Sequence, residues 1–330
     1  MALSAPFRTR LAPSPTGALH LGNARTFLIN WALARQNGWR IVLRIDDLDG
    51  PRIKAGADQE AIEMLSWLGV DWDEGPSYQT DHRGDYARAF ARLQGSGLIY
   101  PCRCTRSQIQ AASLSAPQLG DHEVRYAGTC RPSLAVADAR RETATGNPAA
   151  TTLATSCWKE PGDPAWRLIV PDQDLAFVDQ VHGEQAHNVQ QQVGDFIVRT
   201  KTGWPSYQLA VVVDDAAQAI THVVRGADLL ASTCRQLFIY DALGLPRPRR
   251  YWHLPLVVGA DGRRLAKRHG DTKLATYRQA GVKATRIVGW LASCSGAGRY
   301  REMTAAQFAE QFDIRRMPRQ PVTFHASDLP

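Results

Sequence analysis

The chain has 330 residues, 44% hydrophobic and 22% charged, with 26 glycines and 19 prolines. At roughly 150 residues per domain this length predicts about two domains, and the composition excludes disordered, collagen-like and fibrous chains. No apolar run approaches the ~18 residues of a membrane span, and the arginines of residues 1–10 adjoin no apolar signal core, so a cytoplasmic protein without a membrane segment is expected. The 39 basic against 32 acidic residues give a net charge of +7, which suits a polyanionic partner such as nucleic acid and equally an ordinary basic protein.

Residues 7–11 read as a short strand, and the prolines and glycine of residues 12–17 exclude a helix or strand interior. Apolar residues recur at helical spacing from Asn23 to Gln36, with Gly38 as the stop. Residues 40–45 predict a strand and residues 57–68 a second helix ending at Gly69. Strand–helix–strand–helix order implies an α/β fold with a Rossmann-like parallel sheet. The pattern breaks from Tyr100 to about Val189, which is read as an insertion. Residues 195–200, 209–213 and 220–224 are β-rich, residues 227–243 helical, and residues 254–258 short and apolar. Helical stretches around residues 287–291 and 305–312 complete the chain. The resulting division is 1–100 and 190–250 as halves of the Rossmann-like sheet domain, 101–189 as an inserted subdomain, and 251–330 as a cationic loop with a helical C-terminal region.

Two segments carry chemistry. In Arg10-Leu-Ala-Pro-Ser-Pro-Thr-Gly-Ala-Leu-His-Leu-Gly-Asn23 a strand enters a Pro/Gly loop and then a helix whose first N–H groups suit a phosphate. Gly17 and Gly22 permit close backbone approach, and His20 can donate to phosphate oxygens. Between Gly262 and Gly270 lies a cationic loop, Arg-Arg-Leu-Ala-Lys-Arg-His, suited to neutralising charge on a triphosphate. The six cysteines are too few for a disulfide scaffold, but Cys102, Cys104 and Cys130 cluster as a candidate metal site. The basic segments 247–250 and 315–319 are candidate RNA contacts or simply solvated faces.

The two segments resemble the signature motifs of class I aminoacyl-tRNA synthetases, in the glutamyl/glutaminyl version. His20 to Asn23 stands for the "HIGH" motif and Arg264 to Arg268 for "KMSKS". Leu43-Arg-Ile-Asp-Asp-Leu-Asp49 resembles the "RIEDxD" element, and Tyr207 to Asp215 and Val224 to Asp228 match the same branch. Roughly sixty residues follow the cationic loop, so no anticodon-binding domain is expected; this shortness resembles the glutamyl-Q tRNA(Asp) synthetase family.

That resemblance implies activation of L-glutamate by ATP with Mg2+, without tRNA, then transfer to the queuosine base in the anticodon stem-loop of tRNA(Asp). The alternatives are a short glutamyl-tRNA synthetase charging the 3′ end of tRNA(Glu), or a catalytically silent tRNA-binding paralogue. Arg10, Leu11, Ala12, Pro13 and Ser14, with Asp46, Tyr207 and Arg225, would form the glutamate pocket. His20, Gly22, Asn23 and Lys267 would hold ATP, with His20, Asn23 and Lys267 acting in catalysis. The family more often has Glu at Asp46, which retracts the carboxylate by about 1.5 Å, and Arg264 and Ala266 replace its lysine and serine. Cys102, Cys104, Tyr126 and Cys130 would hold one structural Zn2+, with His122 competing as the fourth ligand. A monomer is expected.

Overall fold

Strands β1 (Arg8–Leu11), β2 (Arg40–Ile45) and β3 (Glu74–Tyr78) pair in parallel in the order β1-β2-β3. The computed structural model describes residues 7–114, 124–133, 163–263, 265, 272–325 and 328–329. Helix α1 (Leu21–Asn37) links β1 to β2 and ends at Gly38, whose φ of 66° is the left-handed conformation that glycine adopts freely. It is buried on nearly every side, from Leu21 and Leu28 through Trp31 to Ala34, because it lies between the sheet and a second helical layer. Helix α2 (Ala57–Trp67) connects β2 to β3, and α3 (Arg83–Gly95) follows.

The chain then forms β4 (Ile99–Cys102) and α4 (Arg106–Leu114). After β5 (Ala165–Leu168) come the hairpin of β6 (Asp174–Asp179) with β7 (Gly183–Asn188), the short α5 (Val189–Gln192) and β8 (Phe196–Arg199). Strands β4, β5 and β8 make a separate antiparallel sheet. Strand β6 instead joins the parallel set, whose other members are β9 (His222–Gly226) and β10 (Arg250–Leu254), in the order β7-β6-β10-β9. Thr221 N–H donates to Arg8 O at 3.0 Å and Arg8 N–H to Thr221 Oγ1 at 2.8 Å, which sets β9 beside β1. The strand order therefore reverses between β1 and β9, and the crevice beyond their C-terminal ends is where such sheets bind ligands.

Helices α6 (Tyr207–Ala217) and α7 (Ser232–Ala242) cover one face with α3, where Tyr86, Leu209, Val212 and Leu237 form a core. The other face is covered by α1, α2, α8 (Leu274–Gln279), α9 (Ala284–Ser293) and α10 (Ala305–Gln311), which bury Leu28, Leu65, Leu291 and Phe308. Arg25 of α1 fastens this layer, donating to Pro255 O at 2.6 Å, Ser295 Oγ at 3.2 Å and Cys294 O at 3.2 Å. No described helix is long and apolar enough to cross a membrane.

One expected strand is a helix. Residues 209–213 lie within α6, whose N-cap Ser206 accepts from Leu209 N–H at 3.4 Å. Every residue from Leu209 to Asp215 is buried, so β-branched valines stand where neither alternation nor amphipathicity can reveal the helix. The apolar run 254–258 is also split: β10 ends at Leu254, Pro255 lacks the N–H to continue a ladder, and β11 (Val257–Val258) pairs in parallel with β12 (Val322–Thr323).

Candidate active site and metal centre

A cleft of about 1270 Å³ opens at the strand reversal, lined by Arg10, Ala12, Pro13, Ser14, Gly17, His20, Gly22, Asn23, Asp46, Tyr207 and Arg225. Leu11 does not line it; its side chain is fully buried in the apolar core. Lys267, Arg264, Ala266 and His122 lie outside the described residues.

His20 is the N-cap of α1. Its Nδ1 accepts from Gly22 N–H at 3.1 Å, while Asn23 Oδ1 accepts from His20 N–H at 3.4 Å, a reciprocal capping box. With Nδ1 accepting, the proton of the neutral ring sits on Nε2. A Cβ at Gly22 would lie 3.1 Å from both Cε1 and Nδ1 of that ring, so glycine makes room for the histidine itself. At Gly17 nothing lies within 4 Å of such a Cβ, and the space belongs to the cleft. Residues 272–274 are tethered to this motif: Leu21 N–H donates to Thr272 O at 3.0 Å and Leu274 N–H to Leu19 O at 2.9 Å.

Behind the cleft is a buried charge network. Arg44 Nε donates to Asp46 Oδ1 at 2.7 Å and Nη1 to Asp215 Oδ1 at 2.7 Å. Asp215 in turn accepts from Arg10 Nε at 3.2 Å. Burial pushes the Asp46 pKa up despite Arg44. At Asp215 burial acts in the same sense, but the two flanking guanidiniums outweigh it and hold the carboxyl below its ordinary value. The neighbouring Asp214 accepts from Gln79 at 2.6 Å, Tyr86 at 2.8 Å and His82 at 2.9 Å. Neither Arg44 nor the acid pair was assigned a site role from sequence; the signal was there, two acids inside an apolar run and an arginine inside a strand.

Arg225, on β9, is 5% exposed and bound by neutral acceptors. Its Nε donates to His253 Nε2 at 2.9 Å, Nη1 to Gln236 Oε1 at 2.8 Å and Nη2 to Thr233 Oγ1 at 2.9 Å. Among the described residues no carboxylate forms an ion pair with it, so its charge is available to an acidic ligand. Tyr207, the first residue of α6, stands at the rim, 42% exposed. Arg250 opens β10 and so lies at the opposite end of the sheet from the cleft, while Arg315 pairs with Asp313.

Cys102, Cys104 and Cys130 place their sulfurs within 4.8 Å of one another. Cys104 Sγ is 3.5 Å from Cys130 Sγ, and Tyr126 Oη is 3.5 Å from Cys102 Sγ and 4.0 Å from Cys104 Sγ. A tetrahedral zinc with Zn–S near 2.3 Å separates its sulfurs by about 3.8 Å, so the three thiols and the phenol oxygen fit one. Burial raises the Cys102 thiol, but bonds from Tyr126 and Arg167 outweigh it and bring the pKa down to about 7, which favours a thiolate ligand.

A family profile described as "tRNA synthetases class I (E and Q), catalytic domain" matches residues 6–330. The chain is 42% identical over 329 residues to the Glutamyl-Q tRNA(Asp) synthetase of Symbiobacterium thermophilum, covering 97% of this chain and 96% of that protein. It is 43% identical to the protein of the same name from Rhodopirellula baltica, covering 94% of each. Among solved structures, a glutamate tRNA ligase from Elizabethkingia meningosepticum in complex with its amino acid superposes with a TM-score of 0.76 at 25% identity, covering 98% of this chain and 68% of that one.

Proposed function

Because this chain belongs to the glutamyl-Q tRNA(Asp) synthetase family of class I tRNA synthetases, we propose that it activates L-glutamate with ATP in the absence of tRNA and transfers the glutamyl group to the queuosine base in the anticodon of tRNA(Asp). A glutamate α-carboxylate oxygen attacks the α-phosphorus of ATP in line; the new O–P bond forms as the α–β bridge breaks and pyrophosphate leaves. The observation that carries this reading is the pairing, in one cleft, of Arg225, which has no ion-pair partner among the described residues, and the carboxylate of Asp46, with the His20-capped helix beside them. Arg225 takes the substrate side-chain carboxylate, Asp46 the α-ammonium, and His20 Nε2–H a phosphate oxygen, so rate comes from positioning and electrostatics. The glutamate pocket comprises Arg10, Ala12, Pro13, Ser14, Asp46, Tyr207 and Arg225, with the Leu11 backbone connecting them. Gly22, Asn23 and Lys267 hold ATP, whose Mg2+ is bound mainly through phosphate and water.

Cys102, Cys104, Tyr126 and Cys130 would hold one zinc ion in a structural role within the 101–189 insertion. Residues 1–100 and 190–250, together with the β6–β7 hairpin and β10 that complete the parallel sheet, form the catalytic domain, and the remainder of 251–330 the cationic loop with its helical layer, in a cytoplasmic monomer.

Glutamate-dependent pyrophosphate exchange without tRNA tests the first step, and labelled glutamate offered to a queuosine-containing anticodon stem-loop of tRNA(Asp) tests the second. Exchange that strictly needs tRNA, or label found only on full-length tRNA(Glu), would instead identify a 3′-end synthetase. Lys267→Ala should lower exchange by roughly a hundredfold, the scale of one lost charge-stabilising donor.

A further inference from the structure

Asp179 ends β6 and is almost completely buried. Its Oδ1 accepts from the N–H groups of Val181 and His182, both at 2.9 Å, which fixes the carboxylate. Its Oδ2 accepts from His253 N–H at 3.1 Å and from His253 Nδ1 at 2.7 Å. His253 lies on β10 directly opposite Arg225 of β9 in the parallel ladder. Since Nδ1–H donates to Asp179, Nε2 carries the lone pair, and that lone pair takes Arg225 Nε–H at 2.9 Å. Burial holds the His253 ring down to a pKa of about 4, so it stays neutral at physiological pH.

The chain Asp179–His253–Arg225 thus has one sense of hydrogen bonding only. It fixes the guanidinium plane through Nε; Thr233 Oγ1, 3.2 Å from His253 Nε2, takes Nη2 on the same edge, and Gln236 Oε1 takes Nη1. It also keeps the Asp179 carboxylate one imidazole away, so Arg225 is oriented without an ion pair to that acid. The remaining Nη1 hydrogen, and the Nη2 hydrogen whose bond to Leu229 O is long at 3.4 Å, form the edge left for a ligand. That edge matches the two oxygens of a carboxylate and meets an N–H in an amide.

We infer that Asp179 and His253 are positioning residues that aim Arg225 at the substrate's side-chain carboxylate, and that they set the choice of a dicarboxylic amino acid over its amide. The inference rests on reading the cleft as an amino-acid-activating site.

The test is pyrophosphate exchange by the full-length protein and its H253N, H253Q and D179N variants, with glutamate, glutamine and ATP each varied. H253N keeps the donor to Asp179 but takes the acceptor from Arg225; its KM for glutamate should rise roughly thirtyfold, the scale of a bond to a charged group, with KM for ATP unchanged and kcat within about threefold. Its preference for glutamate over glutamine should fall by about tenfold. H253Q, whose Oε1 can take the place of Nε2, should remain within about threefold of the wild type. D179N turns the imidazole to its other tautomer, sets Nε2–H against Arg225 Nε–H, and should reproduce the H253N pattern even if H253N folds poorly. An unchanged glutamate KM in H253N and D179N, or equal losses in kcat and both KM values, overturns the relay while leaving the functional reading intact. A wild type without glutamate-dependent exchange overturns the functional reading itself.

Discussion

Arg44 Nε donates to Asp46 Oδ1 at 2.7 Å, so a carboxylate that lines the cleft is held from behind by a guanidinium with no solvent exposure. The same side chain binds Asp215, which holds Arg10, and the network therefore sets two walls of the site at once. Arg44→Met would leave Asp46 and Asp215 buried without it. The expected cost is about 3–5 kcal/mol, the range for removing one partner of a buried ion pair, read as a lowered denaturant midpoint. A change below about 1 kcal/mol would show that the network carries no more weight than a surface pair.

Gly22→Ala separates activity from stability. The added methyl group would sit 3.1 Å from the His20 ring and push it off the Gly22 N–H that now donates to Nδ1. Losing that cap costs about 1 kcal/mol, and replacing glycine by alanine inside a helix returns about the same. Thermal stability should hardly move while pyrophosphate exchange falls by tenfold or more, because the ring would no longer aim Nε2 at the phosphates it is proposed to bind. Exchange at the wild-type rate would remove His20 orientation from the mechanism.

How much of this was legible in the sequence depended on where the information lay along the chain. His20, Gly22 and Asn23 are consecutive, and their capping box is a local interaction that the motif spells out. The cleft residues Arg10, Asp46 and Arg225, proposed above to bind glutamate, come from three strands, but each sits at a strand C-terminus, where the α/β order predicts a ligand. What supports them was not legible. Asp179 and His253 are 74 residues apart and meet only because β6 joins β10 in the parallel sheet. Helix α6 was hidden for the opposite reason: burial on all sides erased its period, leaving only the valines' local preference.

The cysteine cluster gives a prediction independent of the amino-acid site. The purified protein should contain one zinc ion per chain, and Cys104→Ser should release it while glutamate-dependent exchange continues, since among the described residues no thiol lines the cleft. Tyr126→Phe removes the oxygen that accepts from Cys130 N–H at 2.8 Å and faces two of the sulfurs. Zinc affinity should then fall by at least the tenfold associated with losing an outer partner of a metal ligand, measured by competition with a chelator. Undiminished affinity in Tyr126→Phe would assign the fourth position to another donor, His122 first.

Stability should fall as the solution is acidified from about pH 6.5 towards 4. Burial holds His222 and His253 at pKa values of about 4, against 6.5 for an ordinary histidine. Within that window the unfolded chain takes up protons that the folded chain refuses, so each ring contributes a slope of about 1.4 kcal/mol per pH unit. His82 acts in the other direction. Its bond to Asp214, outweighing partial burial, raises its pKa, so its contribution is complete below 6.5 and fades as pH rises through the raised value. Urea denaturation at half-unit steps from pH 4 to 8 resolves the two effects. His222→Phe should roughly halve the acid slope, because the ring packs against both Trp39 and Trp252, where a phenyl group can stack without a proton to bind. An acid slope unaltered by that substitution would mean that His222 already titrates normally in the folded protein, and that the aromatic cage around it admits water.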